Sequence, residues 1–325
     1  MSTSTRFPDQ LSITHLRPGV RWQPPLAQSV MAGAALPAAM TRAASKQTYT
    51  TIRLLADSGR TLNAFRAYAY FRWVDDRIDD EHRVREDRIR FLERQQMLLD
   101  AAYAGTMRPD VTAEERLLLD LTAGDGEPDS GLRAYLRNMM AVMAFDVERR
   151  GRLVSDAELS TYTLALATAV TELLHHCIGH DQPTAPTENR YRAVTGAHIT
   201  HLLRDTYEDV EAGYFNIARE FVETHGIEPG DIDSDAYRAW VRDRVTLARA
   251  HFSAGRVELA QVRNWRCRLA GAAYIARFET VLDAIERDGY RLRREYNERK
   301  TPRGVLKIVG STLRTCAGWV RRSDA

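Results

Sequence analysis

An all-α fold is the class this sequence predicts, and three observations predict it. Apolar residues recur at three- and four-residue spacing through one long stretch after another from Ala43 onward. No run alternates with the period of two that a half-buried strand requires, and no fixed-length repeat appears. The breaks between periodic stretches are rich in Gly, Pro, Asp and Ser, the chemistry of short connections. The expectation is a bundle of about ten helices.

Five of the eleven prolines (Pro8, Pro18, Pro24, Pro25 and Pro37) fall before residue 40, so residues 1–40 are expected to form an irregular arm. Ser45–Ala56 and Leu62–Asp80 are the first strong helical stretches, separated by Asp57-Ser58-Gly59. Residues 84–104 follow, with Ile89, Leu92, Met97 and Leu98 assigned to the inner side, and then a short helix near 112–122. Leu132–Arg150 and Asp156–His180 come next, the second opened by the capping-box spacing of Ser155 and Glu158. A break at 182–186 leads into a helix ending near Val210, and turns around Gly213 and Gly226–Ser234 lead to Ala236–Gln261 and Cys267–Arg293. The helical domain is drawn at 41–300, with 301–325 as a basic C-terminal helix or tail. Val305–Arg322 is apolar on one side and carries Arg314, Arg321 and Arg322, which suits either packing or peripheral contact with a membrane surface.

Composition narrows the class of function. The 325 residues carry a net charge of +2, too near neutral to argue for nucleic acid. Three widely spaced cysteines (Cys177, Cys267, Cys316) suit a reducing cytoplasm and no disulfide framework. No apolar run reaches the roughly 18–20 residues of a spanning helix, and the N-terminus lacks the pattern of an export signal. A soluble intracellular protein is expected, with membrane association through the C-terminal helix as the variant.

Two acid-rich stretches carry the chemistry. Phe71-Arg-Trp-Val-Asp-Asp-Arg-Ile-Asp-Asp places Asp75/Asp79 and Asp76/Asp80 four apart on a helix, and like charges at that spacing repel. Arg204-Asp-Thr-Tyr-Glu-Asp repeats the arrangement with Asp205 and Asp209. A divalent cation such as Mg²⁺ would offset the repulsion, since it takes carboxylate oxygens and completes its shell with water and a ligand's phosphates. Arg72 and Arg204 would add donors to a diphosphate, and Tyr68, Tyr70, Phe71 and Trp73 offer π faces to a carbocation. Ionisation of an allylic diphosphate inside an apolar helical cavity is the chemistry this suggests. Solvated acidic helix ends are the plain alternative.

The same residues resemble a known family. Ala67-Tyr-Ala-Tyr-Phe-Arg-Trp-Val-Asp-Asp-Arg-Ile-Asp-Asp is similar to the first aspartate-rich motif of squalene/phytoene synthases. His201-Leu-Leu-Arg-Asp-Thr-Tyr-Glu-Asp, continuing to Gly213-Tyr-Phe-Asn-Ile, is similar to the second, and the likeness runs from about Ser45 to Arg293. The resemblance implies the isoprenoid-synthase helical bundle around a central apolar cavity, and Mg²⁺-dependent condensation of prenyl diphosphates. By position it implies Asp75, Asp79, Asp205 and Asp209 as metal ligands, Ser45 and Arg72 as diphosphate contacts, and Tyr162 as a cavity tyrosine.

Departures from the family pattern bear on the acceptor. His198 and His201 stand where the family usually has Gln and Asn, and imidazole is a poorer Mg²⁺ ligand than oxygen. Gln47 replaces a serine, and Ala165, Thr168 and Thr171 stand in a helix that is glycine-rich in the family. Phe278 occupies the place of a tyrosine, with Tyr274 one turn earlier as a substitute. These changes fall where a second prenyl diphosphate would sit and are expected to weaken head-to-head coupling. The resemblance extends to phytoene-synthase-like members that prenylate aromatic small molecules, and so allows such a molecule as the alternative acceptor, with His198 or His201 taking the proton lost on rearomatisation. A terpene cyclase and a non-catalytic scaffold are the competing functions. No Gly-rich dinucleotide fingerprint is present. Outside the motifs, His175, His176, Cys177 and His180 form a cluster better suited to a helix end than to a metal. Arg149, Arg150 and Arg152 are expected to form a solvated basic turn, and Asp146 to stand near the cavity mouth.

Overall fold

The computed structural model describes residues 35–80, 82–106, 110–179, 187, 189–298 and 301–323, with side chains in the last helix through residue 318. His180 and residues 1–34 of the expected arm lie outside the described residues. Among the described residues every regular element is a helix: α1 (Ala35–Ala44), α2 (Lys46–Leu55), α3 (Thr61–Ile78), α4 (Arg85–Tyr103), α5 (Ala113–Ala123), α6 (Gly131–Arg149), α7 (Asp156–Cys177), α8 (Arg192–Glu211), α9 (Arg219–His225), α10 (Asp235–Gln261), α11 (Trp265–Arg287) and α12 (Pro302–Ser323). Helix α1 begins inside the stretch expected to be irregular. The chain divides into two compact units, residues 1–147 with 175–180, and residues 148–174 with 181–325.

The first unit is built on α3. Between Ala64 and Val74 most of this helix is buried, and Ala67, Ala69, Tyr70 and Val74 are fully enclosed. Helices α1 and α5 pack on it, and α4 packs on α5. Ser45 caps α2 by accepting from the Thr48 amide at 3.1 Å. Thr112 and Glu115 close a capping box at the start of α5. On α4, Leu92, Gln95, Leu98 and Leu99 face inward, whereas Met97, assigned to the inner side by its apolarity, is exposed. Five residues past Leu92, it lies about 140° round the helix.

Two aromatic side chains expected to face a reacting carbocation do not share a face with Asp75 and Asp79. Tyr70 donates to Gln95 Oε1 at 3.0 Å, and Gln95 in turn donates to Glu115 at 3.0 Å. The Trp73 ring meets Phe91 edge-on at 5.2 Å. Both therefore pack towards α4 as core. Tyr68 and Phe71, by helical spacing, are the aromatics that share the Asp75 side.

The second unit is organised by α8 and the 27-residue α10. Their close approach needs glycine: a Cβ on Gly255 would lie 2.8 Å from both the Cβ and the amide nitrogen of Ala193. Asn264 caps α11 by accepting from the amides of Arg266 and Cys267. The helix expected to run to Arg293 stops at Arg287, because Gly289 and Tyr290 both adopt positive φ, 63° and 65°. Helix α12 then packs on α11.

Candidate active site

In the first unit, the functional side chains sit on the last turns of α3. Asp75 is buried within the helix, Asp79 is its C-cap, and Asp80 lies beyond it. Arg72 lies 3.7 Å from Asp75 and pairs closely with Asp76 one turn away. Burial opposes the Arg72 charge, but Asp75 and Asp76 outweigh it and hold the guanidinium above its ordinary pKa. One turn back, burial pushes the Tyr68 phenol up to about 12, against the pull of the Arg72 cation and of the nearby Thr48 and Ser45 hydroxyls. Ser45, Tyr68, Arg72 and Asp75 thus form one polar cluster. The buried Phe71 ring meets Tyr135 edge-on at 5.3 Å.

The second unit presents its acid motif on α8, where His198, His201, Arg204, Asp205 and Asp209 are all buried. Arg204 forks onto its neighbour Asp205, Nε to Oδ1 at 2.6 Å and Nη2 to Oδ2 at 2.5 Å. His201 joins them, with Nε2 3.2 Å from Asp205 Oδ2 and a close contact to Arg204. Its ring stands edge-on to Phe278 at 6.3 Å, and Phe278 stands edge-on to Tyr274 at 5.0 Å. His198 meets Tyr162 edge-on at 5.0 Å. Further along α7, Thr168 is half-buried, and the buried Thr171 hydroxyl has no hydrogen-bond partner among the described residues. Six of the residues singled out from sequence therefore fall into two side-chain groups: His201 with Phe278 and Tyr274, and His198 with Tyr162, while Asp205 belongs with the first.

A network that sequence reasoning missed holds Asp209. Asn216 donates from Nδ2 to Asp209 Oδ2 at 2.5 Å and accepts from Arg149 Nη1 at 2.9 Å. The Arg149 guanidinium is stacked between Tyr162 and Tyr214, 4.8 and 4.9 Å from their ring centroids. Within the expected solvated turn Arg150 and Arg152 are half-buried, but only 1 % of Arg149 is exposed, so this residue is instead a buried cation. Two π faces and a carbonyl oxygen compensate it. The surrounding backbone is clipped as well: Gly151 donates to the Gly213 carbonyl at 2.8 Å, and Arg219 to that of Val154 at 2.8 Å. The sequence signal was Asn216 itself, a polar residue set among Tyr214, Phe215 and Ile217.

On another side of α8, the helices α7, α8 and α10 border a half-open pocket of about 450 Å³, lined by Leu159, Ile199, Leu203, Trp240, Arg244 and Leu247 among others, and none of His198, His201, Asp205 and Asp209 lines it. Asp146, on α6, is buried in the first unit. Also in that unit, His176 contacts Arg60, and Asp57 accepts from the Gly179 amide at 2.9 Å. These are the contacts of a tied-down helix end. Among the described residues no group of three or more His, Cys, Asp or Glu gathers to hold a metal.

The donor set nevertheless fits Mg²⁺. Each motif offers a pair of carboxylates, and this ion is commonly held by one or two carboxylates together with phosphate oxygens. The repulsion between the aspartates is no longer an argument for metal, because Arg72 and Arg204 already offset it.

The sequence pattern of squalene/phytoene synthases matches residues 41–304. The chain belongs to the squalene/phytoene synthase family. Within that family it is 28 % identical over 199 residues to the presqualene diphosphate synthase of Zymomonas mobilis, covering 60 % of this chain and 64 % of the relative. It is 26 % identical over 248 residues to the 15-cis-phytoene synthase of Synechocystis, covering 67 % and 72 %. The chain thus matches under two thirds of the Zymomonas protein's length. Among solved structures, squalene synthase HpnC of Alicyclobacillus acidocaldarius aligns with a TM-score of 0.64 at 22 % identity, over 79 % of this chain and 94 % of that one. A dehydrosqualene synthase aligns at 0.66 and 17 %, over 87 % and 96 %. Those two likenesses establish the helical fold of squalene synthases for this chain.

Proposed function

We propose that this family member is a prenyltransferase, which ionises an allylic isoprenyl diphosphate and couples the chain to an acceptor. The observation that carries the reading is that each aspartate motif places a buried aspartate beside an arginine on a single helix, Asp75 by Arg72 and Asp205 by Arg204. Asp75, Asp79, Asp205 and Asp209 are the proposed Mg²⁺ ligands. When bound, the metal would neutralise charge on the diphosphate leaving group. Arg72, Arg204 and Ser45 are the proposed diphosphate contacts, with each arginine trading its own carboxylate for phosphate oxygens. The allylic C–O bond breaks with both electrons leaving on the diphosphate, and the cation left behind meets the π faces of Tyr68 and Phe71, on the Asp75 side of α3.

The acceptor is a second prenyl diphosphate, in line with the names of the relatives, or an aromatic small molecule. Support for the aromatic acceptor comes from His198 and His201, both buried on the α8 face that bears Asp205. Either ring would take the proton released when the acceptor regains aromaticity. Two buried cysteines, Cys177 and Cys267, both free, support a reducing cytoplasmic location.

Product analysis with farnesyl and geranylgeranyl diphosphate, with and without aromatic acceptors, tests this. A head-to-head product from either substrate alone assigns the prenyl acceptor. Release of a cyclised product from one substrate identifies a cyclase instead. Asp75→Ala combined with Asp205→Ala is expected to abolish diphosphate consumption. Unchanged biological activity in that variant favours a scaffold.

A further inference from the structure

Helix α12 has an apolar strip too many. One strip, Val305, Ile308, Thr312 and Cys316, is sheltered to differing degrees on the side nearest α11. A second, Leu306, Val309 and Leu313, lies about 100° away and faces solvent, with exposures of 72, 48 and 60 %. A helix packed on a soluble protein needs only the first. Bordering the exposed strip on its other side, Arg303, Lys307 and Arg314 follow each other along the helix. Lys307 pairs with Asp283, while Arg303 and Arg314 make no ion pair among the described residues. Pro302–Ser323 holds five cations and no acid, in a chain with 44 acidic residues.

Charge decides what covers the strip. A second copy docked antiparallel about a two-fold axis would set one cationic row against another, and in either orientation three side chains fall well short of the roughly 800 Å² per partner of a stable interface. An exposed apolar strip bordered by cations is the pattern of a helix lying in a bilayer interface, and anionic headgroups complement the row. Helix α12 runs antiparallel to α11, with Lys307 at Asp283 and Cys316 beside Arg268. This brings its C-terminal half towards Trp265, 63 % exposed one turn before Arg268. Tryptophan is enriched at membrane interfaces. No helix of the described residues is long and apolar enough to cross a membrane.

We propose that α12 docks the protein on the surface of an anionic phospholipid bilayer, with Leu306, Val309 and Leu313 inserted among the acyl chains and Arg303 and Arg314 at the headgroups. This goes beyond the prenyl-transfer reading and does not depend on it, because vesicle binding is read without turnover.

Co-flotation of the full chain tests it, using vesicles of phosphatidylcholine alone and of phosphatidylcholine mixed with phosphatidylglycerol. Binding is expected to the mixed vesicles, to weaken with salt, and to be lost in Leu306→Glu/Leu313→Glu. At about fivefold per cation, Arg303→Gln/Arg314→Gln lowers affinity on the order of 30-fold. Absence of binding, equal binding to neutral vesicles, or full binding by the Glu variant overturns the proposal. So does sedimentation velocity showing a dimer that Leu306→Glu dissociates.

Discussion

Asn216 donates to Asp209 Oδ2 at 2.5 Å while its carbonyl oxygen accepts from Arg149. One neutral amide thereby links a buried cation to a proposed metal ligand. Asn216→Ala removes one hydrogen bond from each of two buried charged residues, so unfolding free energy is expected to fall by about 2–4 kcal/mol. Urea denaturation measures it. A change within the few tenths of an exposed-site substitution would show that the bridge is energetically idle.

Arg204 and Asp205 are expected to act as a unit. Removing either, as Arg204→Gln or Asp205→Asn, leaves a buried group short of its partner and costs about 2–4 kcal/mol. In the double variant the losses do not add, leaving a coupling of at least about 1 kcal/mol. A double-mutant cycle on unfolding free energies checks this, and additivity would contradict the fork. If Arg204 also reaches the diphosphate, Arg204→Lys weakens diphosphate affinity, because a point charge replaces a bidentate donor.

Acid should loosen the first unit through Glu115. Burial would raise its pKa, but hydrogen bonds from Arg94, Gln95 and the Thr112 amide overcome that and hold it at about 2, against an ordinary 4.5. A depressed carboxyl stabilises the folded state above the unfolded pKa and loses that contribution as pH falls towards the folded one. Stability of about 2–3 kcal/mol is therefore expected to drain away between about pH 4.5 and 2. In Glu115→Gln, pH-resolved denaturation should show a flatter slope across that window.

Gly255→Ala tests the α8–α10 seam. The added methyl would meet the backbone and Cβ of Ala193 below 3 Å, with no flexible side chain to give way. Helix propensity alone would favour Ala by about 1 kcal/mol. Overpacking is expected to reverse the sign, for a net loss of about 1–3 kcal/mol in thermal or urea melts.

The helices were legible in the sequence wherever an apolar stripe or a cap announced them. Ser155 and Glu158 bond reciprocally at the head of α7, as their spacing indicated. The family was legible from two motifs, because helical spacing alone sets Asp75 by Arg72 and Asp205 by His201. Properties set by long-range packing were harder to read. Nothing within a few residues of Arg149 marks it as buried, since Asn216, Tyr162 and Tyr214 are all distant in the chain. Tyr70 and Trp73 looked suited to a cation because they are aromatic and near the aspartates, yet their helix face commits them to Gln95 and Phe91. The end of α11 turned on Tyr290, a residue whose type does not favour positive φ.

The stretch from Asp209 to Asn216 behaves as a ruler. Its first residue is held from both sides, through the Asn216 amide and through the Tyr214 N–H on the Asp209 carbonyl at 2.7 Å, while Gly213 is pinned to Gly151. Most surface connections absorb insertions and deletions without harm. Here a single residue added or removed would carry Asn216 out of reach of either Asp209 or Arg149. The spacing is therefore as much a part of the motif as its aspartates, and a library varying length at this turn should return only the native register among folded members.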